Sequence, residues 1–174
     1  MLKYKIPLCY DCQSFFETPR ICAICKRPVT PDCVYITFLC KDCQQQVTDT
    51  FESEFKKEPY TTKQQVLIHL ALKEQQIDNI MNYEVVYGEG YHKTIDICIP
   101  QASVYLEVNG LHHAYSPRQV WSDLWRTHFS AVSGFLVLNV YNVALMRNFL
   151  YIINGIERIV EARMASMCFS DTDN

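Results

Sequence analysis

The spacing of apolar residues predicts a helix in the first third of the chain. Residues 44–58 are mostly polar, but an apolar residue recurs at every fourth position, in the order Val47, Phe51 and Phe55. Such spacing places the three side chains on one face of a helix. Pro59 marks its end, because proline cannot continue the intrahelical hydrogen bonds. We therefore expect residues 46–60 to form a helical linker.

A second helix is expected directly after this linker. Thr61 or Thr62 can cap its N-terminus, and Gln64 or Gln65, three residues further on, completes a capping box. Apolar residues then continue with helical spacing to about Lys73. This helix is the first element of a larger C-terminal part of the chain.

The pattern that follows alternates between strand-like and helix-like runs. Alternating or β-branched residues predict strands at residues 84–87, 92–99, 103–108 and 135–140, and helical spacing predicts helices at residues 118–132 and 142–160. The order α-β-β-β-α-β-α indicates an α/β (α+β) domain at residues 61–165, followed by a disordered tail at residues 166–174. One helix carries three aromatic residues that we expect in the core, and these are Trp121, Trp125 and Phe129.

Cysteine usage changes the interpretation of the N-terminal part. The chain of 174 residues has nine cysteines, and seven of them fall between residues 9 and 43. There is no apolar stretch typical of a secretory signal and no run of about 18 uncharged apolar residues, so we expect an intracellular protein that is not in a membrane. In a reducing compartment, clustered cysteines indicate metal binding and not disulfides. Residues 1–45 are therefore expected to form a small zinc-binding module.

The cysteines of this module form CxxC pairs. Two residues between the thiolates allow both sulfurs to reach one ion from a tight turn, and two such pairs complete a tetrahedral site. Cys22 and Cys25 are separated by fourteen residues from Cys40 and Cys43, which is typical of a zinc ribbon with a β-hairpin between the pairs. These four residues are the first choice for a structural zinc site.

The remaining cysteines of the module suggest a second zinc site. Cys9, Cys12 and Cys33 supply three thiolates. The sequence leaves the fourth ligand open between Asp32, a distant histidine and a bridging thiolate. An iron–sulfur cluster uses the same residue type and is the alternative to zinc. The number of zinc ions, one or two, also stays open.

The net charge of the chain limits how it can bind nucleic acid. The chain carries a net charge of −3, with six Lys and Arg against four Asp and Glu in residues 1–45, and ten against fifteen in the rest. Four thiolates around one Zn²⁺ leave a charge of about −2, which cancels the small excess of positive charge in residues 1–45. The chain is not a generally basic nucleic-acid binder. Contacts with phosphates are expected from individual cations, namely Lys26, Arg27, Lys93 and Arg118.

Two acidic residues lie on predicted neighbouring strands. Asp96 lies in the strand at residues 92–99 and Glu107 near the end of the strand at residues 103–108, with Asn109 two residues further on and on the same face. If the strands pair in an antiparallel manner, Asp96 and Glu107 approach closely enough to share a metal ion. Mg²⁺ or Mn²⁺ bound by paired carboxylates polarises a phosphodiester and generates the attacking hydroxide.

The order of these residues resembles the PD-(D/E)XK (restriction-endonuclease-like) nuclease superfamily, and within it the very-short-patch-repair endonuclease branch. After the strand aspartate Asp96, the chain has three matching motifs, Glu107-Val108-Asn109-Gly110-Leu111-His112-His113, Asp123-Leu124-Trp125-Arg126 and Gly134-Phe135-Leu136-Val137-Leu138. The resemblance covers about residues 61–145. It implies an αβββαβ core with helices on both sides of a mixed central sheet.

The resemblance also implies a function. Carried over by position, Asp96 and Glu107 would be the ligands of the catalytic divalent ion, and His113 or His112 would be a base or a phosphate contact. The implied activity is that of a metal-dependent DNA endonuclease, with the zinc module positioning the enzyme on DNA or on a partner. RNA and a protein partner are alternatives to DNA.

The sequence departs from the superfamily's pattern at two positions. Asn109 occupies the position of the superfamily's lysine, and Gln65 or Gln64 lies where relatives often carry a helical glutamate. These departures favour a second interpretation, a catalytically inactive nuclease fold that binds DNA, RNA or protein. Asp123 and Arg126, three residues apart on a helix, are expected to form a local ion pair.

Overall fold

The computed structural model describes residues 21–29, 39–87, 91–110 and 117–170. The helices in these ranges are α1 (Lys41–Lys57), α2 (Lys63–Glu74), α3 (Pro117–Val132) and α4 (Asn142–Ser170). The strands are β1 (Ile80–Tyr87), β2 (Tyr91–Ile99), β3 (Val104–Asn109) and β4 (Leu136–Tyr141), with a 3₁₀ helix at Pro100–Ala102. The predicted α-β-β-β-α-β-α order is confirmed. Because α4 reaches Ser170, residues 166–170 are helical where a disordered tail was expected.

Local signals fix where α1 and α2 begin and end. Helix α1 ends at Lys57, shortly before Pro59, as expected, but it begins immediately after Cys40, which is its N-cap. Helix α2 begins with a capping box. The backbone N–H of Gln65 donates to Oγ1 of Thr62 at 3.3 Å, and Oε1 of Gln65 accepts from the backbone N–H of Thr62. Of the two alternatives left open by the sequence, Thr62 and Gln65 form the box.

The four strands form one mixed sheet in the order β1-β2-β3-β4. Strand β2 is antiparallel to both β1 and β3, whereas β3 and β4 are parallel. Helix α3 lies between β3 and β4 in the chain, as a parallel pair of strands requires a crossover. The chain is therefore an α+β protein with a four-stranded mixed sheet.

The two faces of the sheet have different environments. Val104, Leu106 and Val108 of β3 pack in the main hydrophobic core, which also contains buried residues of α2 and α4 such as Ile68 and Leu145. The alternate residues of β3 face the other way. There, Tyr105 belongs to a small separate cluster, and Glu107 lies next to α3. Helices thus cover both faces of the sheet.

The described part of the cysteine-rich module shares the main core. Cys22, Ile24, Cys43 and Val47 belong to the same hydrophobic cluster as the buried residues of α2 and α4. Helix α1, which follows the module, also packs against α2. The division into residues 1–45, a linker at 46–60 and a domain at 61–165 stays a prediction, but no break in the core separates these parts within the described residues.

The side of helix α3 that faces the sheet is the one that was expected to face solvent. Trp121, Trp125 and Phe129 are exposed, so their expected location in the core is wrong. The side of the helix that faces the sheet carries Arg126 and the fully buried Ser130. The physical reason is the buried Glu107, which requires a cation from α3. Within the described ranges, none of the helices combines the length and the apolar character that a membrane span requires.

Candidate functional site

Four cysteines come together between the turn at residues 22–27 and the start of α1. The Sγ atoms of Cys22, Cys25, Cys40 and Cys43 all lie within 4.8 Å of one another. Those of Cys25 and Cys40 are 3.7 Å apart. Sulfurs at the corners of a tetrahedron around a zinc ion, each about 2.3 Å from it, are about 3.8 Å apart. The four cysteines therefore fit one tetrahedral metal ion, and they are the four that the spacing selects.

The first pair lies in a tight turn. The backbone N–H of Cys22 donates to the carbonyl of Arg27 at 2.7 Å, and the N–H of Lys26 donates to the carbonyl of Cys22 at 3.0 Å. Lys26 has a φ of 59°, a left-handed conformation that turns the chain back after Cys25. An isolated bridge between Ile21 and Pro28 closes the turn. This geometry brings Cys22 and Cys25 to the same side.

The second pair lies at the start of a helix. Cys40 is the N-cap of α1 and Cys43 lies in its first turn. The zinc-ribbon prediction, with its β-hairpin between the pairs, stays a prediction because residues 30–38 lie outside the described residues. A helix N-terminus suits thiolates because its free N–H groups and dipole favour negative charge.

Arg27 covers the sulfurs from the solvent side. Its Nε donates to Sγ of Cys25 at 3.1 Å, and its Nη2 lies 3.6 Å from Sγ of Cys40 and 2.9 Å from Oδ2 of Asp42. Arg27 was predicted as a phosphate contact, but its guanidinium holds the cysteine cluster and Asp42. Lys26 is exposed and stays a predicted phosphate contact.

The thiols of the cluster differ in acidity. Burial raises the pKa of Cys22 and of Cys43. Slight burial acts in the same direction on Cys25, but hydrogen bonds from Arg27 outweigh it and lower the pKa of this thiol to about 6. A metal ion must therefore displace protons from the buried thiols when it binds, whereas Cys25 is already prepared as a thiolate.

Several predicted ligands cannot be placed. Cys9, Cys12 and Cys33 lie outside the described residues, as does Asp32, so the second zinc site stays a prediction. His112 and His113 also lie outside them. Arg118 is in the first turn of α3. Its role as a phosphate contact stays a prediction.

A second cluster forms around Glu107 on β3. Glu107 is buried, and its Oε1 lies 2.9 Å from Nη1 of Arg126 and 3.6 Å from Nζ of Lys93. The paired register of β2 and β3 ends at Ile97 and Leu106. Beyond it, the backbone N–H of Val108 donates to Oδ2 of Asp96 at 2.6 Å. Asp96 and Glu107 are thus held on neighbouring strands, as the sequence predicted.

The charges of this cluster are nearly balanced. Arg126 also reaches Asp123 on its own helix, with Nη2 at 3.2 Å from Oδ1. Burial, together with the negative charges of Asp96 and Asp123, raises the pKa of Glu107, while the neighbouring Lys93 and Arg126 favour its charged form. The predicted local ion pair of Asp123 and Arg126 exists, but sequence reasoning missed that Arg126 also binds Glu107. The sequence signal that could have shown this contact is the Asp-x-x-Arg motif. It follows the Glu107 motif in the resemblance described above.

The other predicted site residues have structural partners. Lys93 was predicted as a phosphate contact, but its side chain is only 18 % exposed and lies against Glu107. Nδ2 of Asn109 donates to Oδ1 of Asn139 at 2.8 Å, which links β3 to β4. The side chain of Gln65 is used in the capping box with Thr62. Only Asp96 and Glu107, of the predicted catalytic residues, are therefore brought into one cluster by the described contacts.

Comparison of the chain with protein-family models, with curated proteins and with solved structures gives no match. The two clusters therefore carry the functional interpretation. In the described part of the chain, the four cysteines are the one set of three or more His, Cys, Asp or Glu residues whose ligand atoms meet within 4.8 Å. The carboxylates around Glu107 do not form such a set of three, so water and substrate must complete any divalent site there.

Proposed function

We propose that the chain is a metal-dependent endonuclease that hydrolyses DNA phosphodiester bonds, with a structural zinc ion held by Cys22, Cys25, Cys40 and Cys43. The observation that carries the proposal is the placement of Asp96 and Glu107 on the neighbouring strands β2 and β3. The backbone N–H of Val108, the residue after Glu107, donates to Oδ2 of Asp96 at 2.6 Å, which holds the Asp96 carboxylate beside β3. Two carboxylates at such a position are the usual protein ligands of Mg²⁺ or Mn²⁺ in phosphodiester hydrolysis.

The topology supports the proposal. The order α2-β1-β2-β3-α3-β4, with two antiparallel pairs of strands followed by a parallel pair, agrees with the αβββαβ core of restriction-endonuclease-like proteins. In that resemblance, the aspartate lies on the second strand and the glutamate on the third, which are the positions of Asp96 and Glu107. Fold alone does not define activity, so the proposal depends on these two residues.

The carboxylates of Asp96 and Glu107 would be the protein ligands of the divalent cation. Oε1 of Glu107 is buried and receives no well-directed hydrogen bond within the described residues, although Arg126 lies 2.9 Å away and Lys93 3.6 Å away. A divalent ion would therefore share this oxygen with the two cations or replace one of them. The hydrogen bond from Val108 fixes the orientation of the Asp96 carboxylate. A divalent ion held by Asp96 and Glu107 would supply a polarised phosphate and a hydroxide at neutral pH.

Lys93 supplies a cation that the sequence pattern lacks at residue 109. It lies on β2, three residues before Asp96, and its Nζ is 3.6 Å from Oε1 of Glu107. Because the side chain is mostly buried, its charge acts in a medium of low dielectric constant and is weakly screened. If a phosphate binds next to Glu107, Lys93 would stabilise its negative charge in addition to pairing with Glu107.

The decisive experiment is plasmid nicking in Mg²⁺ or Mn²⁺. We expect nicking by the parent chain and loss of nicking in Asp96→Asn and Glu107→Gln, which keep side-chain size. Glu84→Gln, an exposed acid on β1, is the matched control and should nick like the parent. The enzyme interpretation fails if the parent does not nick DNA in either Mg²⁺ or Mn²⁺ while the parent and both variants bind DNA equally well.

One contact favours the second candidate, an inactive nuclease fold that binds nucleic acid or protein. Arg126 Nη1 already lies at the Glu107 oxygen that a divalent ion would need. If this ion pair is purely structural, Mn²⁺ will bind no more tightly to the parent than to Glu107→Gln. If Asp96 and Glu107 hold a cation, the parent will bind Mn²⁺ and the variant will not.

A further inference from the structure

The outer side of α3 is an exposed apolar surface. We define the α3 surface by six large residues at helical spacing, which are Val120, Trp121, Leu124, Trp125, Phe129 and Val132. Three of them are exposed by more than half, with Trp121 at 63 %, Leu124 at 59 % and Val132 at 75 %. An amphipathic helix on a globular protein normally turns this side toward the core. Contiguous apolar patches of such size mark interaction sites.

The polar side of α3 cannot exchange places with the apolar side. Arg126 pairs with Glu107 and Asp123, and Ser130 is fully buried beneath the helix. A rotation that buried Trp121 would leave the buried Glu107 carboxyl without Arg126, which is a large electrostatic cost. The exposure of the α3 surface is therefore a fixed property of the fold and not a local choice of side-chain conformation.

The aromatic rings of the α3 surface hold each other in place. Trp121 and Trp125 meet edge to face with ring centroids 6.1 Å apart, and Trp125 stacks on Phe129 at 5.6 Å. Rings that are fixed before binding lose little conformational entropy on binding. Tryptophan in particular is enriched among residues that dominate binding energy in protein–protein interfaces.

We propose that the α3 surface is the interface with a second copy of this chain. From the exposed fractions and ordinary side-chain areas, the six residues offer roughly 600–700 Å² of apolar surface per copy. A standard interface buries about 800 Å² per partner, so two α3 surfaces facing each other nearly complete one. A two-fold axis across the helix satisfies both copies with the same surface, which is the commonest symmetry of homodimers.

The composition of the surface argues against nucleic acid as the occupant. Val120, Leu124 and Val132 are aliphatic and give bases no ring to stack on. None of the six residues is a cation, whereas binding to phosphates needs Lys or Arg. Arg126 of the same helix is used on the inner side, where it pairs with Glu107. The α3 surface of a second copy is apolar as well and therefore matches it chemically.

The mass of the full, zinc-loaded chain in solution tests the proposal. By sedimentation equilibrium or light scattering at about 1–100 µM, we expect a concentration-dependent species of twice the 20.3 kDa chain mass. Leu124→Glu and Trp121→Glu should give the single-chain mass, because each places a charge in the apolar interface. Tyr151→Glu, at a residue of α4 that is 82 % exposed, is the control and should dimerise like the parent. Circular dichroism and zinc content verify that each variant is folded.

Intrinsic fluorescence gives a second readout. The chain has two tryptophans, Trp121 and Trp125, and both lie in the α3 surface. Dilution of the parent should shift their emission to longer wavelength as the dimer dissociates, and Leu124→Glu should show the shifted emission at every concentration. A parent that keeps the single-chain mass at all concentrations overturns the proposal. So does a dimer that Leu124→Glu leaves intact, or an emission shift that follows added DNA and not protein concentration.

Discussion

Nη1 of Arg126 on α3 lies 2.9 Å from Oε1 of Glu107 on β3, and the two side chains are 11 % and 6 % exposed. This contact joins a helix to the sheet through charge. A buried carboxylate needs a cation nearby, and the cation determines which side of α3 faces inward. The same contact therefore places the polar residues of α3 over Glu107 and leaves the aromatic residues outside.

Removal of this cation should destabilise the fold in a pH-dependent manner. Arg126→Met leaves Glu107 and Asp123 without their shared partner, and we expect a loss of about 3–5 kcal/mol in the free energy of unfolding at pH 10, above the raised pKa of Glu107 of about 9. The loss should be smaller at pH 5, where Glu107 binds a proton more readily. Urea unfolding measures both values. In a Glu107→Gln background the same substitution should cost clearly less, and an equal cost in both backgrounds would contradict the role of the ion pair.

Glu107 should also make the metal-free chain less stable as the pH rises. Its pKa is raised in the folded chain, so its contribution to stability is fully present below the ordinary value of 4.5 and is lost as the pH rises through the raised pKa. One proton accounts for a slope of at most about 1.4 kcal/mol per pH unit. Thermal unfolding between pH 5 and 9 should show this decline in the parent and not in Glu107→Gln. If Asp96 and Glu107 bind Mn²⁺, the added ion should reduce the decline in the parent alone.

Arg27 should control how firmly the cysteine cluster holds its metal ion. Its guanidinium contacts two of the four sulfurs and Asp42, and loss of such an outer partner commonly costs about 10–100-fold in metal affinity. We expect Arg27→Gln to release zinc to a competing chelator at a lower chelator concentration than the parent. Lys26→Gln removes an exposed charge from the same turn and is the control. If both variants release zinc at the same chelator concentration, the net charge of the turn, and not the contacts of Arg27, determines the metal affinity.

Loss of the metal ion should destabilise more than the cysteine-rich turn. Metal analysis should find zinc and no iron at Cys22, Cys25, Cys40 and Cys43, and Cys40→Ser should remove it. Because Cys22 and Cys43 pack in the same core as α2 and α4, we expect chelation to lower the temperature of a single unfolding transition. Two separate transitions, with residues 61–165 unaffected, would instead support an independent module.

His69 on α2 should make the chain sensitive to mild acid. Burial lowers its pKa in the folded state, and its Nδ1 lies 2.6 Å from Oδ1 of Asn79. The unfolded chain therefore binds a proton first, so the contribution of His69 is fully present above about pH 6.5 and is lost as the pH falls below that value. Urea unfolding at pH 7.5 and pH 5.5 should show a smaller loss in His69→Gln than in the parent. His92→Gln, at an exposed position, should behave like the parent.

The sequence by itself determined the features that depend on short-range spacing. The pairing of Cys22 and Cys25 with Cys40 and Cys43 follows from two CxxC motifs, since each motif holds its sulfurs together locally. The order of helices and strands follows from apolar periodicity and from signals such as the Thr62 capping box. The proximity of Asp96 and Glu107 follows from the pairing of consecutive strands.

Only the tertiary structure decided which side of α3 faces inward. Periodicity shows that a helix has an apolar side, and burial of that side is the usual outcome. Here Arg126 must reach a carboxylate on another element, and the charge of a distant residue is not visible in the local pattern of α3.

The partners of Lys93 and Arg27 were likewise decided in three dimensions. Both are cations that the sequence assigned to phosphates, yet one lies against Glu107 and the other against two cysteine sulfurs. A sequence shows that a charge exists, whereas its partner depends on which elements pack together. The negative groups within reach of these cations are the buried Glu107 carboxylate and the partly exposed sulfurs of Cys25 and Cys40.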